Sequence, residues 1–502
     1  MQVPRRLGAA ERKGKNHTMF KIETDTRVPK HNVLRRVAEL AFEGKLTEEA
    51  ISEIPFEQIK PGSAPAYRCC IYKEREIIHQ RVRLAMGKMP NGKKPTEAAV
   101  TVIPAACEGC PIQRYTVTEN CQKCLAKKCM KACPFGAISM SGRGAYIDPT
   151  KCRECGRCAA ACPYSAIADL VRPCRKACPV GAIEIREDKL ADIDDSKCIS
   201  CGACMQACPF GAISDKAQIL PIIADIRLGR EVVAVVAPAL EGQFGANVSM
   251  GKLLKAIEQL GFTKAYEVGM GADAVAMSEA EELLEHLRAG MKMTTSCCPA
   301  FVNMIRKHFP RLQTYVSTTI SPMAAQARWV RDRYTDAKIV FIGPCVAKKT
   351  EQIEGGPDYV LTTEELMALF DARGVDPEQM EEDPRQEASV YGKGFASSGG
   401  VTAAVMAAFE EMSLDEMPRV SAQRCSGAAE CKKALMMLNA GKFDMDFIEG
   451  MACEGGCMYG PGNLLSERLY TAARKKLLAT ADKRGVIENA VDQGFDKVHM
   501  HR

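Results

Sequence analysis

Residues 292–302 read KMTTSCCPAFV, a strand-like approach, KMTTS, to two adjacent cysteines, Cys297 and Cys298. Two other stretches have the same form: KIVFIGP (338–344) runs into Cys345, and DFIEGM (446–451) runs into Cys453. Around them, EVVAVVAP (231–238) is a buried strand and KAYEV (264–268) a short one. GKLLKAIEQLGF (251–262) and MSEAEELLEHLRAG (277–290) carry helical periodicity, the second ended by glycine. Strands alternating with helices imply sheets covered on both faces. Ligands of such folds gather in the crevice at the strand ends. All three cysteine loops begin there, so they can meet at one pocket. Why two cysteines stand side by side is less obvious. A disulfide between neighbours is strained, and ligands to one metal ion are usually spaced further apart.

The chain of 502 residues allows two to four domains. A net charge of +6 is too mild to argue for nucleic acid, and the basic stretch at 1–15 is a solvated tail, with Met19 an alternative start. No apolar run is long enough to span a membrane. The N-terminus lacks the apolar core of a secretory signal, so a cytoplasmic location is expected. In such a chain 25 cysteines point to metal rather than to disulfides.

Sixteen of them lie between Cys107 and Cys208. CRECGRCAAACP (Cys152, Cys155, Cys158, Cys162) and CISCGACMQACP (Cys198, Cys201, Cys204, Cys208) match the bacterial ferredoxin spacing, in which three thiolates hold one [4Fe–4S] cube and the fourth reaches a neighbouring cube. Partial runs accompany them at Cys121, Cys124, Cys129, Cys133 and at Cys174, Cys178. Each closing cysteine is followed by an echo, PFGAI, PYSAI, PVGAI or PFGAI, an internal repeat of two tandem dicluster units. The ferredoxin rule groups Cys152, Cys155 and Cys158 with Cys133, Cys121, Cys124 and Cys129 with Cys162, and Cys198, Cys201 and Cys204 with Cys178. Cys174 and Cys208 then need two partners, and CEGC (Cys107, Cys110) is the nearest supply. The alternative is that CEGC holds zinc or nothing. Three to four cubes are expected here, a wire for single electrons.

TSCCPAF, GPCVAKKTE and GMACEGGCMYGPG resemble, in this order, the signature loops of the [FeFe]-hydrogenases. With the ferredoxin runs the likeness covers about residues 120 to 464. The resemblance implies an α/β catalytic domain of two lobes around an H-cluster (225–465), preceded by α+β ferredoxin-like domains (106–220). A mainly helical N-terminal segment (1–105) without a motif and a helical tail (466–502) flank them. It assigns Cys298, Cys345, Cys453 and Cys457 to a [4Fe–4S] cube. Cys457 would also bridge to a diiron unit carrying CO, cyanide and an azadithiolate. Cys297 becomes the free thiol that hands protons to the bridging amine, so one sulfur of the opening pair binds metal and its neighbour moves protons. A small buried hydrophobe is the bland reading of Cys297.

The relay implied for those protons is Glu279, Glu282 and Ser317, with Glu281 as a register alternative. Glu279 and Glu282 share a helix face at i, i+3; taken alone, such glutamates are most often a solvated face. Lys348 matches a lysine that donates to cyanide, and Met451 a methionine beside the diiron unit. Ala237, Pro238, Pro344, Phe395, Ser397, Ser398 and Gly399 match cofactor-contacting positions. The glycines of FASSGG and GGC would let backbone approach the cluster. The activity implied is reversible 2H⁺ + 2e⁻ ⇌ H₂, with ferredoxin or a similar small carrier as electron partner and with maturation proteins supplying the diiron unit. A hydrogen sensor, or a cluster-carrying relative without the diiron site serving iron–sulfur assembly, are the rivals.

The chain departs from the common loops TSCCPGW, MPC and GGCxxGGGQP at Ala300, Phe301, Gly343 and Gly460–Gly462. Met323 stands for the usual glutamine and Ala239 for a frequent serine. These swaps mark a divergent branch, and the missing side chain at Gly343 should leave room for water or a shifted ligand. Cys425 and Cys431 are expected to be helix-packing residues, with an extra ligand pair or a redox-active thiol near the site as the alternatives, while Cys69 and Cys70 have no assignment.

Overall fold

Val232–Val236, five valines and alanines with no exposed surface, form the inner strand of a four-stranded parallel sheet. The structure, a computed structural model, describes residues 19–502 except 21, 23, 91, 93–95, 111–112, 386, 413–418, 466 and 480. The basic stretch at 1–15 lies outside the described residues. The sheet order is Lys264–Glu267, Val232–Val236, Lys338–Ile342, Tyr359–Leu361. Ile342 is registered against Val236, so the loops after both strands leave at one level. A second parallel sheet sets Phe447–Met451 between Met293–Thr294 and Ala422–Ser426. The mixed α/β architecture follows from helical crossovers that parallel neighbours require.

Two edge strands carry no sequence signal: Tyr359–Leu361 is very short, and Ala422–Ser426 is half exposed without alternation. Cys425 therefore sits on a strand rather than a helix, and only Cys431 lies on the following helix, Ala428–Asn439. Both thiols are fully buried beside Phe301 and Met304.

Helix Gly269–Arg288 runs through the middle of the α/β region, packed by helices Pro322–Arg331, Gly400–Glu411 and Val486–Asp492. Small residues permit this: a Cβ at Gly271 would come within 2.7 Å of the Pro322 carbonyl. The first three turns are buried all round, so Glu279 on this helix is fully enclosed.

The two ferredoxin-like modules are nested, not strictly consecutive. Residues 115–169 close on themselves, Tyr115–Val117 pairing with Ile167–Asp169. The other module draws its first strand, Val100–Val102, from before residue 106 and pairs it with Ile213–Asp215. Cys107 and Cys110 thus belong to the same module as Cys174 to Cys208. A ferredoxin-type unit needs its first and last strands together, and that non-local pairing is invisible to local spacing.

Helices Val28–Phe42, Glu48–Gln58 and Ile71–Ala85 pack on one another at the N-terminal side. Lys30 and Lys349 converge on Asp215 at 2.6 and 2.7 Å, and Lys349 also reaches Glu365 at 2.8 Å. This buried ion network ties the N-terminal helices, a ferredoxin-like module and the α/β region together; removing one partner from such a network costs roughly 3–5 kcal/mol. The tail forms two helices, Glu467–Leu478 and Val486–Asp492. Tyr470 donates to the Ala239 carbonyl at 2.5 Å and Arg474 to that of Pro238 at 2.6 Å. Among the described residues no helix is long and apolar enough to cross a membrane.

Candidate metal centre

Both sheets end their strands at one cavity. Ala237 and Pro238 follow the first inner strand, Pro344 and Cys345 follow Lys338–Ile342, Cys297 and Cys298 follow Met293–Thr294, and Cys453 follows Phe447–Met451. All seven line the cavity together with Cys457, Lys348, Met451, Phe395 and Met323. The adjacent sulfurs divide between two cores: Cys297 packs toward the main core and Cys298 toward the smaller one around Phe301.

The donor set fits an iron–sulfur core. Burial pushes the Cys345 thiol up to about 11 and that of Cys457 up to about 12, and drives Cys453 well above its ordinary value. Thiolates persist in so apolar a pocket only beside compensating positive charge, which iron provides. Among the described residues no three donors close tightly on a single ion. The four sulfurs of Cys298, Cys345, Cys453 and Cys457 instead line one shared cavity.

Cys201 reaches the same cavity wall. Its thiol, pushed up to about 12 by burial, neighbours Cys178 and Cys198. Cys204 neighbours the same three. Cys174 lies beside Cys208, Cys110 and Cys107, and burial raises it to about 11. In the outer module Cys133, Cys152, Cys155 and Cys158 line one hollow, while Cys129 neighbours Cys162 and Cys124. Cys121 accepts the amide of Ala145 at 3.5 Å.

The fourfold echo has a physical cause. Four residues past each closing cysteine an alanine amide donates to its sulfur: Ala137 to Cys133 and Ala166 to Cys162 at 3.4 Å, Ala182 to Cys178 at 3.2 Å, and Ala212 to Cys208 at 3.3 Å.

Beyond Cys297 lies a line of polar groups inside apolar packing. The Ser296 amide donates to Glu279 Oε1 at 3.4 Å, and Glu279 Oε2 has no partner. Burial raises the Glu279 carboxyl to about 8. The Ser317 hydroxyl donates to Glu282 Oε2 at 2.6 Å and lies close enough to Glu279 to influence its carboxyl. Burial works against ionisation of Glu282 too, but donors from Ser317, Thr318 and Thr319 outweigh it and hold the group low. Glu281 is exposed, whereas Glu279 and Glu282 are both buried.

Lys348 Nζ is held by Glu351 at 2.6 Å and faces the Cys297 carbonyl at 3.3 Å. Three expected contacts are not on the cavity wall. Ser397 contacts Met458 Sδ, the Ser398 amide donates to Gly455 O, and the Gly399 amide donates to Glu449 Oε1 at 2.6 Å. Here one loop packs on another: a Cβ at Gly456, whose φ is +105°, would lie 2.5 Å from the Ala396 carbonyl. The space expected at Gly343 is also filled. A Cβ there would meet the Phe341 ring at 2.7 Å and Ala237 at 3.1 Å.

Glu449 and Glu351 were missed as contributors. Glu449, fully buried, accepts from Gly399 and from Thr402, whose hydroxyl is 2.6 Å away. It closes the N-terminus of helix Gly400–Glu411. A carboxylate inside the otherwise apolar strand FIEGM was the available signal.

Residues 230–461 match the model described as iron only hydrogenase large subunit, C-terminal domain. Residues 120–166 match a 4Fe-4S dicluster domain and 191–214 a 4Fe-4S binding domain. Iron hydrogenase 1 of Clostridium pasteurianum is 29% identical over 46% of this chain and 50% of its own length. The periplasmic [Fe] hydrogenase large subunit of Nitratidesulfovibrio vulgaris is 27% identical over 50% of this chain and 76% of its own. An [FeFe]-hydrogenase structure from Chlamydomonas reinhardtii aligns with TM-score 0.44 and 23% identity, over 54% of this chain and 94% of that one. The matched stretch thus spans about half the length of the clostridial relative. At this low identity the chain carries an iron-only-hydrogenase-type C-terminal domain together with ferredoxin-type 4Fe-4S domains, and it resembles a divergent branch of the iron-only hydrogenases.

Proposed function

We propose that the chain is a hydrogenase interconverting protons, electrons and H₂ at an H-cluster held between the two sheets. One observation carries this reading: Cys298, Cys345, Cys453 and Cys457 share one cavity wall with Cys297, Lys348 and Met451. The four sulfurs would hold the cube, and Cys457 would also serve as a ligand to the diiron unit, in the cavity that Phe395 and Met323 help to line. When bound, that unit supplies the redox chemistry that makes or splits the H–H bond.

The protein's own groups handle the protons. Cys297, kept neutral by burial, holds a proton at Sγ beside that space. Glu279 Oε2, without another partner, is the acceptor on the inner side, and its raised value near 8 suits exchange around neutrality. Ser317 Oγ passes the proton on to Glu282. Lys348 places positive charge beside an anionic cluster, steered by Glu351. Cys201 brings the Cys178/Cys198/Cys201/Cys204 cube against the cavity, and the outer cubes extend the wire toward a small electron carrier such as ferredoxin. Maturation proteins would install the diiron unit.

The test is infrared spectroscopy of chain produced with the diiron maturation machinery, combined with a hydrogen assay. CO and cyanide stretches with turnover support the proposal. Intact cubes without those bands turn the reading to a cluster-carrying assembly protein.

A further inference from the structure

The path does not stop at Glu282. Thr318 donates its amide to Glu282 Oε1 at 2.7 Å, and its hydroxyl lies against the same carboxylate. On the other side that hydroxyl meets His501 Nδ1 at 2.9 Å, at the protein surface. The placement is fixed by backbone. Thr319 and His501 form an antiparallel bridge, the Ile320 amide donates to the Met500 carbonyl at 2.8 Å, and the Arg502 amide to the Thr318 carbonyl at 3.0 Å. Arg502 also reaches the Ser296 carbonyl at 3.3 Å, next to Cys297. Residues 500–502 therefore lie as a short added strand over the outer end of the carboxylate path. Nothing in the helical reading of the tail foretold it.

His286 is the other imidazole near Glu282, but its Nδ1 contacts the Glu282 backbone carbonyl at 2.8 Å and not the carboxylate. His501 alone continues the side-chain line. The groups facing it are Glu282 through Thr318, His499 with ring centroids 6.2 Å away, and Arg328, which donates to the His499 and His501 carbonyls; Arg502 follows it in the chain.

We infer that His501 is the surface terminus of the proton path, exchanging protons with solvent and passing them through the Thr318 hydroxyl to Glu282. Its purpose rests on the hydrogenase reading; the hydrogen-bonded line itself does not. A proton from a buffer acid or hydronium arrives at Nε2. The Nδ1 proton then moves to Thr318 Oγ1 as the Thr318 hydroxyl proton moves to the Glu282 carboxylate. One proton enters, one is delivered, and no electron moves. An imidazole is suited to this because one ring nitrogen can take up a proton while the other gives one up.

The experiment uses the full chain carrying its cubes but no diiron unit. After transfer to D₂O, the protonated-carboxyl infrared band of Glu279, identified by its loss in Glu279→Gln, reports how fast deuterons arrive. His501→Ala, His501→Gln and Thr318→Val should slow its shift about tenfold or more. Thr318→Ser should keep the wild-type rate, and added imidazole should restore His501→Ala but not Thr318→Val. Wild-type exchange in the His501 variants, or slowing that imidazole cannot relieve in His501→Ala, overturns the inference. If Thr318→Val fails to fold, the two His501 variants still decide. Because this readout needs no hydrogen turnover, absent CO and cyanide bands would defeat the hydrogenase reading while leaving the path intact, and unchanged exchange would do the reverse.

Discussion

Ser317 donates to Glu282 Oε2 at 2.6 Å across 35 positions of sequence, and the same hydroxyl lies close to the Glu279 carboxyl. A serine set between a carboxyl raised to about 8 and one held low by its donors links two acids of unlike affinity. Ser317→Ala should lower hydrogen turnover by about 10² while cluster content stays unchanged. The amide of Thr318 and hydroxyl of Thr319 still hold Glu282, so the fold should survive. Turnover within twofold of wild type would remove Ser317 from the route.

Glu279 makes a pH prediction of unusual sign for a carboxylate. Its folded value lies above the ordinary 4.5, so the folded chain binds this proton more tightly than the unfolded one. The associated stability is complete below the unfolded value and is lost as pH rises through about 8. Glu279→Gln, neutral throughout, should escape that loss. Its thermal midpoint relative to wild type should therefore climb between about pH 5 and 8 and level off above. A constant difference across that range contradicts the assignment.

The neighbouring sulfurs should separate cleanly on substitution. Cys297→Ala is expected to keep the diiron infrared bands and lose at least ~10² in turnover. Cys457→Ser is expected to lose the bands while most iron–sulfur absorption remains. Bands persisting in the second variant would mean that the bridge lies elsewhere.

Packing at Gly343 predicts a coupled pair. Gly343→Met, which restores the commoner family residue, drives a side chain into the Phe341 ring and should cost ~1–3 kcal/mol. Adding Phe341→Ala should recover much of that loss, a non-additivity seen in a double-mutant cycle. Additive effects would show that Phe341 is not the obstacle.

The nested modules predict which cysteines fall together. Cys107→Ser and Cys174→Ser should each remove the same cube, about four iron atoms, and the double variant no more than either single one. Cys178→Ser should remove a different cube. Iron analysis and the spin signals of the reduced chain read this directly.

Much of the candidate site was legible in the sequence. Cysteine spacing marked candidate cube ligands, strand-like runs marked where the three loops begin, and the i, i+3 glutamates marked a shared helix face. These are local properties, set by the period of a helix or the reach of a short loop. The remainder came from how the chain packs. That packing paired Val100–Val102 with Ile213–Asp215 and so gave Cys107 and Cys110 their module. It filled the space at Gly343 with Phe341, turned Ser397 to Gly399 away from the cavity, and laid His501 on Thr318. Each of these joins residues whose meeting depends on the packing of whole sheets and helices, and burial then sets which protons Glu279 and the thiols keep. No spacing rule encodes a contact between positions 318 and 501, because only a closed fold brings such distant backbone into register.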